Sequence, residues 1–317
     1  MNALRQLLYR GALSCAICYI IALPLYNMTH HDNIKHHQPP VWNCHSEDKH
    51  NENKYGENCH SEHEHSENRH SEDEHSDNCQ NEDKHSINIG ILIPSTTKYI
   101  KVPDLENLSL MSIALPSISV TMETEYHYSV YIAIEKDDYL ESVQNEIIKR
   151  FCFVKIIIVT GGTFTDAVNE IADVAYDDNM TYFVRINDDT RFISPNWAST
   201  GIKTLLGFIP PNVGVVDPTL IYANKKKKDR NHVLIHDMVH RTHLDIFGFY
   251  YSPVFENCWT DDWISEIYKP NRSTKITYWT VRHEIIHGTR YTVSMELYQY
   301  FPSIKEQDKL LIEKYLR

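Results

Sequence analysis

Positive charge is in short supply in this chain. Across 317 residues, 31 Lys and Arg stand against 43 Asp and Glu, a formal net charge of −12. A surface of that sign repels phosphate backbones, which excludes a basic nucleic-acid binder. Long apolar runs are also scarce, since only residues 11–26 form one, and this excludes a polytopic membrane protein. Cysteine is sparse where a core can form: of seven in all, Cys152 and Cys258 are the only two beyond residue 86. They can bridge in an oxidising compartment, but they make no disulfide framework. What is present, 42 % hydrophobic and 23 % charged residues, suffices for one sizeable core and excludes a wholly disordered chain or a coiled coil.

Three regions follow one another. Residues 1–28 carry Arg5 and Arg10 and then the apolar run from Gly11 to Tyr26, with no further Lys or Arg until Lys35. Sixteen helical residues span about 24 Å, short for a plasma membrane but adequate for a thinner bilayer if Leu7 and Leu8 extend it. The charge asymmetry predicts a signal anchor with a cytosolic N-terminus and the remainder in the lumen. A cleavable signal peptide whose apolar region ends at Pro24, and a buried core helix, are the competing readings.

Residues 29–86 hold 12 of the 19 histidines and a repeated unit, as in His45–Asn53 (HSEDKHNEN) and His70–Asn78 (HSEDEHSDN). His45 to His85 also contains 13 acidic and 4 basic residues, most of the net charge. With almost nothing apolar to offset its ordering entropy, this stretch is predicted to be a flexible stalk. Its His and Cys residues also suit zinc or copper, although their spacing matches no zinc module.

From residue 87 to 317 the pattern is that of a folded domain. Ile87–Pro94, Tyr128–Glu135, Val154–Thr160 and Thr181–Ile186 read as strands, and Leu105–Leu115, Leu140–Arg150 and Phe164–Tyr176 as helices between or after them. The alternation predicts an α/β, Rossmann-like domain with a mostly parallel sheet covered on both faces and ligands at the carboxyl ends of the strands. Asn-x-Ser/Thr sequons at Asn27, Asn107, Asn179 and Asn271 agree with a lumenal side.

Chemistry concentrates in three places. Asn187-Asp188-Asp189 follows the fourth strand. Adjacent carboxylates there need solvent or a cation, and hard oxygen ligands suit Mg²⁺ or Mn²⁺ bridging a diphosphate; a turn capping the next segment explains the same residues. Asn257 to Ser265 (NCWTDDWIS) surrounds Asp261 and Asp262 with aromatic residues. Such a wall suits a general base or a stacking surface, while Asp261 alone can cap a helix Trp263–Tyr268. His232, His236, His240, His243, His283 and His287 form the third group. A four-residue spacing aligns the first of these on a helix, yet Val239–Phe247 also reads as extended, and His283 follows a strand-like run Ile276–Val281. The Lys225–Lys228 run reads as an exposed loop able to meet an anionic substrate.

The order of these features resembles GT-A-fold glycosyltransferases: an Ile-Pro-Ser-Thr-Thr strand end, Glu135-Lys-Asp-Asp138 after the second strand, Asn187-Asp-Asp-Thr190, and Trp259-Thr-Asp-Asp-Trp263. The similarity covers about Ile87 to Val293, and the anchor, stalk and domain layout is similar to type II Golgi enzymes. It implies a nucleotide-sugar donor, a glycan, protein or lipid acceptor, a Mn²⁺ or Mg²⁺ cofactor and a place in the Golgi or endoplasmic reticulum membrane. It further implies that Asp189 and Asn187 ligate the metal, although Asn187 stands where the family motif begins with Asp. His283 or His287 would join them, Thr96, Asp137, Asp138, Asp188 and Gly248 would line the donor site, and Asp262, with Asp261 beside it, would face the acceptor. A tethered metal-binding protein and an inactive carbohydrate-binding domain are the rival readings.

Overall fold

The computed structural model describes residues 87–98, 100–222, 233–284, 296 and 298–317. The predicted anchor and stalk, His232, His287 and the Lys225–Lys228 run lie outside these residues, and among those described no helix is long and apolar enough to cross a membrane.

Eight strands form one sheet: β1 Asn88–Pro94, β2 His127–Glu135, β3 Val154–Val159, β4 Tyr182–Arg185, β5 Thr190–Phe192, β6 Val215–Tyr222, β7 Met238–His240 and β8 Ser273–His283. Their order is β3-β2-β1-β4-β7-β6-β8-β5. Four of the seven pairings are parallel, including all three within β3-β2-β1-β4; β7 runs antiparallel to both its neighbours and β5 antiparallel to β8. The expected α/β domain with a mostly parallel sheet is present.

The helices are α1 Leu115–Thr121, α2 Tyr139–Arg150, α3 Phe164–Asp177, α4 Trp197–Leu206, α5 Thr242–Phe247, α6 Thr260–Ile267 and α7 Phe301–Tyr315. They cover both faces, so side chains of either parity are buried in β1, β2 and β4. Ile89, Ile91 and Ile93 of β1 join Val130 and Ile132 of β2 in a core closed by Ile118 of α1, Ile147 of α2 and Trp197 of α4. Leu92, Tyr131 and Phe183 point the other way, against Val168 and Ile171 of α3, Phe247 of α5, Trp263 of α6 and Ile304 of α7.

Three local expectations are corrected. The helix over Leu105–Leu115 is a short 3₁₀ turn and then a π turn at Leu110–Ala114, and the regular helix α1 starts where that reading ended. Pro116 lies in its first turn, where a missing N–H costs no hydrogen bond. Val239–Phe247 is neither one strand nor one helix: β7 ends at His240 and α5 begins at Thr242, so His236, His240 and His243 share no helical face. Cys152 and Cys258 are not bridged to each other. Of the sequon asparagines, Asn107, Asn179 and Asn271 are all exposed.

Candidate active site

The strand order reverses at β1: β2 and β3 lie to one side and β4 to the other. In an open α/β sheet such a reversal leaves a crevice beyond the carboxyl ends of the two central strands. Ser95-Thr96-Thr97 and Asn187-Asp188-Asp189 both emerge there. They are joined directly, because Ser95 Oγ donates to Asp188 Oδ2 at 2.7 Å and the Ile186 N–H donates to the Leu92 carbonyl at 3.1 Å.

Asp189 has a different partner. Strand β8 pairs with β5 in the register Thr190↔His283, and the Glu284 N–H donates to the Asp189 carbonyl at 2.9 Å. This brings His283 Nε2 to 2.9 Å from Asp189 Oδ1, an oxygen that is buried and yet makes no aligned hydrogen bond among the described residues. Two cis ligands of an octahedral ion at about 2.0–2.1 Å lie roughly 2.9 Å apart, so the spacing of this pair suits two ligands of one divalent cation as well as a direct His–Asp contact. Asn187, next to it, is half-buried, and its carbonyl accepts the Thr190 N–H at 3.2 Å in the turn that links β4 to β5. Among the described residues no group of three or more His, Cys, Asp or Glu gathers in a metal-holding arrangement.

Other expected site residues take separate places. Both Asp138 oxygens are engaged within the protein. They accept from the Thr97 N–H and Oγ1, each at 2.8 Å, from Thr96 Oγ1 at 3.1 Å and from the Leu140 N–H at 2.9 Å, so Asp138 caps α2 and ties the β1 loop to it. Thr96 is thus held by Asp138, and the residue of that loop which touches the acidic pair is Ser95. Asp137 is exposed, with φ of 64°. Gly248 ends α5 with φ of 71°, its N–H donating to the Leu244 carbonyl at 2.7 Å. A side chain at that position would be strained, which accounts for the glycine without a ligand.

Asp261 does not cap a helix at Trp263. Helix α6 begins at Thr260 after Trp259, whose φ is 68°, so Asp261 and Asp262 both fall in its first turn, where carboxylates are favoured by the helix dipole. The approach to this turn is stitched to the start of α3. The Thr165 N–H donates to the Glu256 carbonyl at 2.9 Å and the Phe164 N–H to Asn257 Oδ1 at 2.9 Å. Since α3 follows β3 of the parallel half, its first turn stands at the carboxyl edge, and the start of α6 shares that edge.

Beneath the edge lies a buried polar cluster that the sequence reading did not assemble. Arg185, at the end of β4, is 4 % exposed, and its guanidinium donates to the Ile235 carbonyl at 2.7 Å. Asp237 accepts from the Tyr250 hydroxyl at 2.6 Å and from the Tyr251 hydroxyl. Asp217 accepts from the His236 N–H at 2.7 Å and lies 3.6 Å from Lys275 Nζ, while the His236 ring meets Thr190 Oγ1 at 2.6 Å. Burial pushes the Asp217 and Asp237 carboxyls up and the His236 imidazole down, so His236 is neutral at physiological pH. One signal for this cluster was visible in the sequence, namely a charged residue inside the otherwise apolar strand Thr181–Ile186.

No family model matches the sequence, and no curated protein matches it. The structure is similar to S. aureus TarS 1–349 in complex with UDP-GlcNAc, at 10 % identity over 70 % of this chain and 66 % of that one, with a TM-score of 0.48. It is also similar to GalNAc-T7 with UDP, GalNAc and Mn²⁺, at 12 % identity over 63 % and 44 % of the two chains, with a TM-score of 0.48. A third similarity is to the mannosyltransferase PcManGT from Pyrobaculum calidifontis with GDP-Man and Mn²⁺, at 11 % identity over 64 % and 58 %, with a TM-score of 0.46. The chain spans less than two thirds of each of these three chains.

Proposed function

We propose that the chain is a metal-dependent glycosyltransferase of GT-A type, moving a sugar from a nucleotide-sugar donor to a glycan, protein or lipid acceptor. The observation that carries this reading is the meeting of Asp189 Oδ1 and His283 Nε2 at the crevice between β1 and β4, with Asp188 held beside them by Ser95. Asp189 and His283 would hold a Mn²⁺ or Mg²⁺ ion, with Asn187 at hand; such an ion supplies positive charge to the departing nucleoside diphosphate. The ligands in the three structures named above belong to the same chemistry, while the reading itself rests on this chain's own site.

The residues divide the work between donor and acceptor. Ser95 keeps Asp188 oriented, so that the Asp189 carboxylate is presented on a rigid turn. Asp262, in the first turn of α6, takes the acceptor hydroxyl proton if the reaction inverts; the new bond then forms from that oxygen to the anomeric carbon as the bond to phosphate breaks. Asp137, exposed just after β2, completes the donor side in this proposal.

Calorimetry with UDP and GDP tests the reading on the full chain, in Mn²⁺ and then in a chelator. Binding of one of them that is lost with the chelator, together with slow hydrolysis of the corresponding nucleotide sugar, is the expected result. Failure of both nucleotides to bind removes the proposal, and binding without turnover marks an inactive domain.

A further inference from the structure

We propose that Arg185 is a positioning residue for the acidic pair that opens α6: its buried guanidinium clamps the end of β4 to the segment 250–262 and so sets where Asp262 stands. What Asp262 then does rests on the glycosyltransferase reading; the clamp itself does not.

Four observations converge on it. Every other residue of β4 is an apolar or aromatic core residue, so a charge at the last position is the exception that requires partners. Its guanidinium carbon lies 4.6 Å from the Phe164 ring and 5.9 Å from the Tyr251 ring, and those two rings are themselves stacked at 6.2 Å. Arg185 therefore packs on the first residue of α3 and on the chain leading toward α6 at once, a planar contact that guanidinium makes well. Among the described residues the head group makes one hydrogen bond, to the Ile235 carbonyl, and the buried Nε makes none, so ring packing carries the remaining compensation.

The same segment is held from α3 as well. Asn169 accepts from the N–H groups of Tyr250 and Tyr251 at 3.0 and 2.8 Å and donates to the Tyr251 carbonyl at 2.9 Å. From there the chain runs through Glu256 and Asn257, already tied to Thr165 and Phe164, into Asp261 and Asp262. Asp237, before β7, holds the same segment by accepting from the Tyr250 and Tyr251 hydroxyls, and its carbonyl accepts the Arg185 N–H at 2.9 Å. A purely space-filling role would need only an apolar side chain, which the strand supplies at its other positions.

The test compares full-length wild type with Arg185→Met, which keeps the length and loses the charge, and Arg185→Lys, which keeps the charge and loses the plane. Amide exchange over residues 250–263 is expected to rise at least tenfold in Arg185→Met, with β1 and β2 unchanged. Among a panel of UDP- and GDP-sugars, turnover of the one that wild type hydrolyses fastest is expected to fall at least tenfold, with its KM within twofold and partial recovery in Arg185→Lys. Exchange that is unchanged, or raised uniformly across the sheet, overturns the clamp; so does kcat equal to wild type. If wild type neither binds nor hydrolyses any member of the panel, the glycosyltransferase reading fails, and the exchange pattern alone still decides the clamp.

Discussion

Asp188 and Asp189 are neighbours in the chain that face different partners, a serine hydroxyl and an imidazole. Replacing Asp189 by Ala removes one half of the proposed ligand pair, and we expect metal-dependent UDP or GDP affinity to fall at least tenfold, about 1.4 kcal/mol. Calorimetry in Mn²⁺ reads this directly, and undiminished binding would take Asp189 out of the site. Asp262→Asn keeps the shape of the side chain and removes the proton acceptor. Turnover should drop by two or more orders of magnitude, about 10²–10⁴ for a general base, while nucleotide affinity stays near wild type. Equal losses in both would place Asp262 on the donor side, and the product's anomeric configuration must be read alongside, because a retaining reaction does not use this base in the same way.

His243 offers a pH test independent of function. Its ring is buried, with Nδ1 2.8 Å from the Tyr268 hydroxyl and Nε2 2.7 Å from the Tyr250 carbonyl, and burial brings its pKa down to about 4. The unfolded chain therefore binds a proton that the folded one refuses, and the stability His243 contributes is present above about pH 6.5 and is lost as pH falls toward 4. The stability gap between wild type and His243→Gln in urea should narrow from pH 7.5 to pH 4.5. A gap that is constant or widens would show that the buried ring is not neutral.

At the scale of elements, the start of α6 is braced from the far end of the chain. Trp263 Nε1 donates to Asp308 Oδ2 at 2.9 Å, joining α6 to α7, and both side chains are buried. Asp308→Ala leaves the indole N–H without this acceptor and should cost about 1–3 kcal/mol in chemical denaturation. Local exchange protection should drop first in α6 and α7. Gly201 in α4 is another tight contact: a Cβ there would run into Met238 Sδ, against the Trp279 ring. Gly201→Val should therefore destabilise by about 1–3 kcal/mol through overpacking. The strands of the parallel half were legible in the sequence because burial on both faces turns a parallel strand into an unbroken apolar run, as Ile91-Leu92-Ile93 in β1 illustrates. Helix α1 was not, since Pro116 marks a helix start as readily as a stop, and only the packing of Leu115 and Ile118 into the core distinguishes the two.

For the molecule as a whole, the topology belongs with the proposals. Arg5 and Arg10 before the apolar run 11–26 lead us to propose a single-pass type II protein with residues 29–317 in the secretory lumen. A C-terminal tag should resist protease in sealed microsomes, and the protein should stay in the pellet after carbonate. Digestion of the tag without detergent contradicts the orientation, and release by carbonate indicates a cleaved signal. The exposed sequons at Asn107, Asn179 and Asn271 should then carry glycans removable by endoglycosidase.

The sequence by itself determined the class of the fold and the edge at which to look, because apolar periodicity and the alternation of strand and helix are local properties of the chain. It also marked Asp188-Asp189 as costly carboxylates in need of solvent or a cation, and Asp261-Asp262 as carboxylates walled by aromatic residues. Only the tertiary structure decided which partners those are. Ser95 and Asp188 are 93 residues apart, Asp189 and His283 meet only through the pairing of β5 with β8, and Arg185 reaches residues 235 and 251 across strands that sequence order does not place together. Local propensity can determine which residues form a strand, but register and strand order arise from which faces can be buried together, and the assignment of every ligand atom follows from them.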